Sequence, residues 1–101
     1  MGRLIFNPCA IISYSVTTVQ ENPELQVIHL TIVSEDQTLK YRIWADEREP
    51  NLSSILAELN AGFSNARNGN SDIEVTEYTE RDYLFVKYPN GISKQYSARK
   101  I

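Results

Sequence analysis

Cys9 and His29 are the chain's one cysteine and one histidine, and together they bound its nucleophilic and metal chemistry. As a pair they would be a thiol and its base, but nothing in the sequence orients or activates them. A small buried or half-buried thiol following Pro8 is the plain reading of Cys9. A lone cysteine forms no disulfide within the chain, and one histidine with one cysteine makes no recognisable metal site. Glu35-Asp36 and Asp46-Glu47 lack the spacing of a calcium loop. Glu77 and Glu80 fall on an expected strand and turn, where solvation accounts for them. The four glycines form neither GxGxxG nor a P-loop. With no acid, base and nucleophile converging, the chain reads as non-enzymatic, with no cofactor and no evident small-molecule substrate.

Binding chemistry is concentrated instead near the C-terminus, in DYLFVKYPNGISKQYSARK, residues 82–100. Tyr88-Pro89-Asn90-Gly91-Ile92 has turn chemistry: proline presets φ for the first corner, asparagine suits the second, and glycine takes the left-handed position after them. A three-residue hairpin loop follows, because a two-residue Asn-Gly loop would put Pro89 where a ladder N–H is wanted. That register pairs Tyr88 with Ile92, Val86 with Lys94, and Leu84 with Tyr96. Leu84, Val86, Tyr88, Ile92 and Tyr96 then share a core side, with Lys94 snorkelling at its edge. Tyr83, Phe85 and Lys87 share the other side, across from Ser93, Gln95 and Ser97. Two aromatics on an otherwise polar face make a candidate contact surface. The competing reading is sheet chemistry alone, since cross-strand aromatics stabilise hairpins without any partner.

A second group lies in LKYRIWA, residues 39–45, where Leu39, Tyr41 and Ile43 alternate with Lys40, Arg42 and Trp44. Tryptophan beside arginine is the composition of an interface hot spot, and the alternative is that the N-terminal segment covers Trp44. His29, on the neighbouring strand's less apolar face, is expected near these residues.

The elements that must position both groups follow from periodicity. Residues 10–19 and 25–33 alternate with period two, placing Ile12, Tyr14 and Val16, then Ile28, Leu30 and Ile32, on single faces. With 39–45 they form an antiparallel meander joined by hairpin-length loops, and Arg3–Phe6 can add a short strand before it. The period then changes. Leu52, Ile55, Leu56, Leu59, Phe63 and Ala66 make one helical stripe over about 51–67, capped by Asn51 or Ser53 and left through Asn68-Gly69. Gly62 inside it marks close packing or a weak spot. Residues 73–79 and the two arms of the hairpin complete a β-β-β-α-β-β-β order. The expectation is a single α+β domain, 1–101, with a mainly antiparallel sheet and one amphipathic helix packed on it.

Charge and hydropathy narrow the function class. Residues 1–81 hold six Lys/Arg against twelve Asp/Glu, while residues 82–101 hold four against one. An acidic body with a basic end suits self-association or an acidic partner. The pI of 5.1 weighs against nucleic acid, where phosphate neutralisation dominates affinity, although aromatics among cations are what single-strand binders use. No apolar run approaches the ~20 residues of a membrane span, and MGRLIF resembles no secretory signal, so the expected setting is cytoplasmic or within a particle. The reading is a non-catalytic protein–protein module, a small subunit or accessory protein of a larger assembly. Phage or virus structural components, and small inhibitors of a host or defence protein, belong to that class. The expected contact residues are Tyr83, Phe85, Lys87, Trp44, Arg42 and Lys40. The alternative is a small nucleic-acid-binding domain that uses the C-terminal hairpin.

Overall fold

The computed structural model describes residues 3–4, 11–34, 38–69, 73–78 and 80–101. In chain order they form β1 (Arg3–Leu4), β2 (Ile11–Asn22), β3 (Leu25–Ser34), β4 (Thr38–Trp44), α1 (Leu52–Gly69), β5 (Glu74–Tyr78), β6 (Tyr83–Lys87) and β7 (Ser93–Lys100). The strands make one sheet in the order β1-β5-β6-β7-β4-β3-β2, and each neighbouring pair is antiparallel. This is the α+β architecture that the alternation implies: six full strands, the short N-terminal one, and a single helix. Two three-stranded meanders, β2-β3-β4 and β5-β6-β7, meet at the β4–β7 pair, with Ile43 opposite Ala98 and Trp44 opposite Ser97.

One sheet face is buried under α1. Ile28, Leu30, Ile32, Leu39, Tyr41, Ile43, Val75, Leu84, Val86 and Tyr96 point to it, and each is 4% exposed or less. The helix stripe is laid on this face. Ile55, Leu59, Phe63 and Ala66 are fully buried, Leu52 and Leu56 pack at the margin, and the Phe63 ring stacks on Tyr14 at 5.4 Å. Ile55, Leu59 and Phe63 each contribute about 1.5–3 kcal/mol by leaving water, which outweighs the modest helix propensity of this serine- and asparagine-containing stretch. Asn51 is the N-cap: its Oδ1 accepts from the backbone N–H of Ser53 at 3.0 Å and of Ser54 at 3.4 Å. The helix takes in Asn68 and Gly69, the expected exit residues, as its last two. Residues 70–72 lie outside the described residues.

Gly62 is a close-packing position. A Cβ there would stand 2.2 Å from Cε1 and 2.3 Å from Cδ1 of Tyr88. The glycine lets the Tyr88 ring lie against the helix, and this fixes the β6–β7 hairpin beneath it. Tyr88 Oη is 2.7 Å from Tyr96 Oη, and Tyr96 donates to Glu58 Oε1 at 2.8 Å. A phenol carries one proton, so Tyr96 must accept from Tyr88. Burial pushes the ionisation of both phenols well above its ordinary range. Lys94 closes the chain of contacts with Glu49 at 2.9 Å and Glu58 at 3.5 Å, as expected of a lysine that snorkels at the core margin.

Two sequence expectations are corrected here. Ile92 is 53% exposed, not core, because it belongs to the tip of the hairpin, where it lines a cleft with Gly62, Ala61 and Pro89. Glu77 is 6% exposed, so solvation does not account for it. It shares the core-facing parity of Ile73 and Val75, and its Oε1 accepts from Tyr41 Oη at 3.1 Å. The readings of Cys9 and of the N-terminal segment over Trp44 fall outside the described residues.

Candidate contact face

The β6–β7 hairpin has the register that its turn chemistry demands. Tyr88 N–H donates to the Ile92 carbonyl and Gly91 N–H to the Tyr88 carbonyl, both at 2.9 Å, and Gly91 has φ of 87°. Leu84 is opposite Tyr96 and Val86 opposite Lys94. Tyr83, Phe85 and Lys87 therefore emerge on the face away from the helix, opposite Ser97, Gln95 and Ser93. Through the β4–β7 pair the same face carries Lys40, Arg42 and Trp44, and through β3 it carries His29 opposite Arg42. All six expected contact residues are thus brought to one side of one sheet, with His29 beside them.

The aromatic residues there form a cluster larger than the sequence indicated. Tyr78, on β5, is opposite Tyr83 and stacks on it with ring centres 4.6 Å apart. Phe85 meets both rings edge-on, at 5.6 Å from Tyr78 and 5.5 Å from Tyr83. Such pairs add about 0.5–1.5 kcal/mol beyond area burial. All three rings stay half-buried. A shallow depression of about 300 Å³ beside the cluster is lined by Glu74, Thr76, Tyr78, Phe85, Lys87 and Ser93. Tyr78 was legible in principle. It shares the parity of Glu74 and Thr76, and carrying the hairpin register back across residues 79–82 would have placed it beside Tyr83.

That turn is held by an unusual residue. Asp82 is the one described non-glycine residue at positive φ, 53°. Its carbonyl accepts from Ala98 N–H at 2.9 Å, and its carboxylate accepts from Arg99 Nη2 at 2.8 Å. Aspartate tolerates this conformation better than most residues. The Arg99 guanidinium holds the Asp82 carboxyl below its usual range. The turn is tied to β7 on both counts, which fixes the start of the strand that carries Tyr83 and Phe85.

At the β4 end the geometry is also built. Arg42 lies over the Trp44 ring, 5.1 Å from its centre, and grips Glu21 with Nε at 2.7 Å and Nη2 at 2.6 Å. The fork holds the Glu21 carboxyl low and raises Arg42. Asp46 accepts from Ser97 Oγ and from the backbone N–H of Arg48 and Glu49. Burial pushes its carboxyl up, but these hydrogen bonds outweigh burial and the group stays below its ordinary value. Val27, on this same face of β3, is fully buried.

The cations are unevenly committed. Arg42 and Arg99 are paired with acids, Lys94 is turned to Glu49 and Glu58, and Arg48 reaches Gln95 once its amide oxygen is turned toward the guanidinium. Lys40 and Lys87 are exposed at the borders of the face. Among the described residues no group of three or more His, Cys, Asp or Glu is arranged to hold a metal ion, and no helix is long and apolar enough to cross a membrane. Comparison of the chain with protein-family models, with curated proteins and with solved structures finds no match.

Proposed function

We propose that the chain is a non-catalytic protein–protein interaction module that docks a protein through the helix-free face of its sheet. The observation that carries this reading is the Tyr78–Tyr83–Phe85 cluster on a face that α1 leaves open, with Trp44 and Arg42 on the same face. The rings are ordered by one another and by the strand pairs beneath them, so a partner that covers them pays little side-chain entropy. Aromatic and arginine side chains are the usual anchors of such contacts. Glu74 and Lys87, one acid and one base opposite each other at the rim, supply polar selectivity without a strong single-sign field. A module of this kind belongs to a larger assembly in the cytoplasm or in a particle, as a subunit or as an inhibitor that occludes another protein.

Pairing of Arg42, Arg99 and Lys94 with carboxylates argues against phosphate as the ligand, since an arginine already gripped by an acid releases few counterions on binding. The test is photo-crosslinking in the source cells from a reactive side chain at position 83 or 85, with the exposed helix position Ala57 as control. The reading expects a discrete protein adduct from 83 and 85 and none from 57. Adducts to nucleic acid, or equal labelling from all three positions, would refute it. In parallel, mixed-sequence single strands should bind no tighter than ~10⁻⁴ M at physiological salt.

A further inference from the structure

The two edges of the sheet are finished differently. One is closed by β1, only two residues long, on β5. The other is β2, a twelve-residue strand whose neighbour among the described strands is β3 alone. Its register is unbroken from Ser13 opposite Val33 to Gln20 opposite Gln26, with irregularities only beyond those ends. Residues 11–20, IISYSVTTVQ, contain no charge, proline or glycine. Shortness, charge, proline and bulges are the devices by which edge strands avoid other strands, and the middle of β2 has none of them. The first charge in the strand, Glu21, is already gripped by Arg42.

We infer that β2 is a docking edge for a second copy of this chain, paired antiparallel about a two-fold axis. The strand's own sequence favours itself as the occupant. A two-fold places the same strand on both sides, and a neutral strand meets its copy without like-charge repulsion. With Val16 on the axis, Tyr14 stands opposite Thr18 of the second copy, Ser15 opposite Thr17, and Ser13 opposite Val19. The exposed hydroxyls of Ser15 and Thr17 then meet each other across the axis, which is a favourable cross-strand pairing, with Ser13 facing Val19 beside them. On the other side Tyr14 and Val16, half-buried at the margin of the core, gain a neighbour that covers what the helix leaves exposed. A partner strand rich in charge would find no complementary charge here. The product is one continuous sheet through both copies, with the aromatic face of each left uncovered for the docking proposed above.

The test is solution mass measured from micromolar to submillimolar concentration by sedimentation equilibrium. The wild type should rise from 11.6 kDa toward twice that mass. Ser15→Lys/Thr17→Lys, which sets like charges opposite each other across the axis, should raise the dimer dissociation constant ~10-fold or more. Tyr83→Ser/Phe85→Ser should dimerise as the wild type does. A wild type that stays monomeric, or a lysine pair that dimerises undiminished, overturns the inference. So does a dimer that survives the lysine pair but is lost in the aromatic variant, which would move self-association to the open face. If the lysine pair fails to fold, hydrogen exchange of the wild type decides: β2 amides whose exchange slows as concentration rises support the pairing, and concentration-independent exchange rejects it.

Discussion

Replacing Gly62 by alanine sets two effects of opposite sign against each other. In an exposed helix interior the change stabilises by about 1 kcal/mol, through propensity alone. Here the new methyl would sit 2.2 Å from a ring carbon of Tyr88, far inside contact distance. The ring cannot simply step aside, because its hydroxyl is bonded to Tyr96 and its exposure is only 9%. Overpacking of this kind costs about 1–3 kcal/mol, and losing the Tyr88–Tyr96 hydrogen bond about 1 kcal/mol more. The net expectation is a destabilisation of about 1–3 kcal/mol by urea unfolding, with the slope m unchanged. A double-mutant cycle isolates the cause. Once Tyr88→Ala has removed the ring, Gly62→Ala should become stabilising by up to about 1 kcal/mol, a reversal of sign. If Gly62→Ala stabilises the wild-type chain, the close-packing account of Gly62 is wrong, and with it the account of how the helix fixes the hairpin.

Other expectations follow from the buried face and its margins. Leu59→Ala should cost about 2–5 kcal/mol, and a loss below about 0.5 kcal/mol would mean that the helix stripe is not core. Of the six tyrosines, Tyr88 and Tyr96 should resist ionisation in an alkaline absorbance titration until the chain unfolds. Their folded pKa values lie above the unfolded value near 10, so stability from these groups is complete below that pH and is lost as pH rises beyond it toward the folded values. Asp46 has the opposite sign: its folded pKa is depressed, so its contribution is present above the unfolded value near 4 and is lost as pH falls through the folded one. Asp46→Ala should flatten that acid limb of the stability curve, and an unchanged limb would show that the Ser97 and backbone bonds to Asp46 do not matter in solution.

Much of this architecture is legible from period and punctuation. Alternation through Ile28, Leu30 and Ile32 and the stripe through Ile55, Leu59 and Phe63 record which side chains are buried, and burial is what the period encodes. Pro89-Asn90-Gly91 records a backbone conformation, so it yields a register to the residue and places Tyr83 and Phe85 on the open face. The misread positions are those where period and environment part. Ile92 has a core residue's chemistry but stands at a hairpin tip, and Glu77 has a surface residue's chemistry but a core parity. Val27 is buried although it points away from the helix, which alternation alone cannot show. Strand order is the deeper gap. Nothing local in Arg42 or Arg99 announces that they are opposite each other, so Trp44 and the aromatic cluster could be assigned to faces but not to one shared face.

The β4–β7 pair also has a kinetic meaning. Each meander can assemble from neighbours in sequence, but the seam joins residues such as Trp44 and Ser97, half the chain apart. Closing that loop carries an entropic cost before any contact across it offsets the loss. Folding should therefore run at the slower pace of sheets built from distant pairings, milliseconds to seconds, with the seam forming last. Until it forms, β4 and β7 each present a bare row of amides and carbonyls, flanked on β4 by Tyr41, Ile43 and Trp44 and on β7 by Tyr96. In that interval the half-folded chain, with two additional edges for strand pairing, is most open to mispairing with another copy of itself.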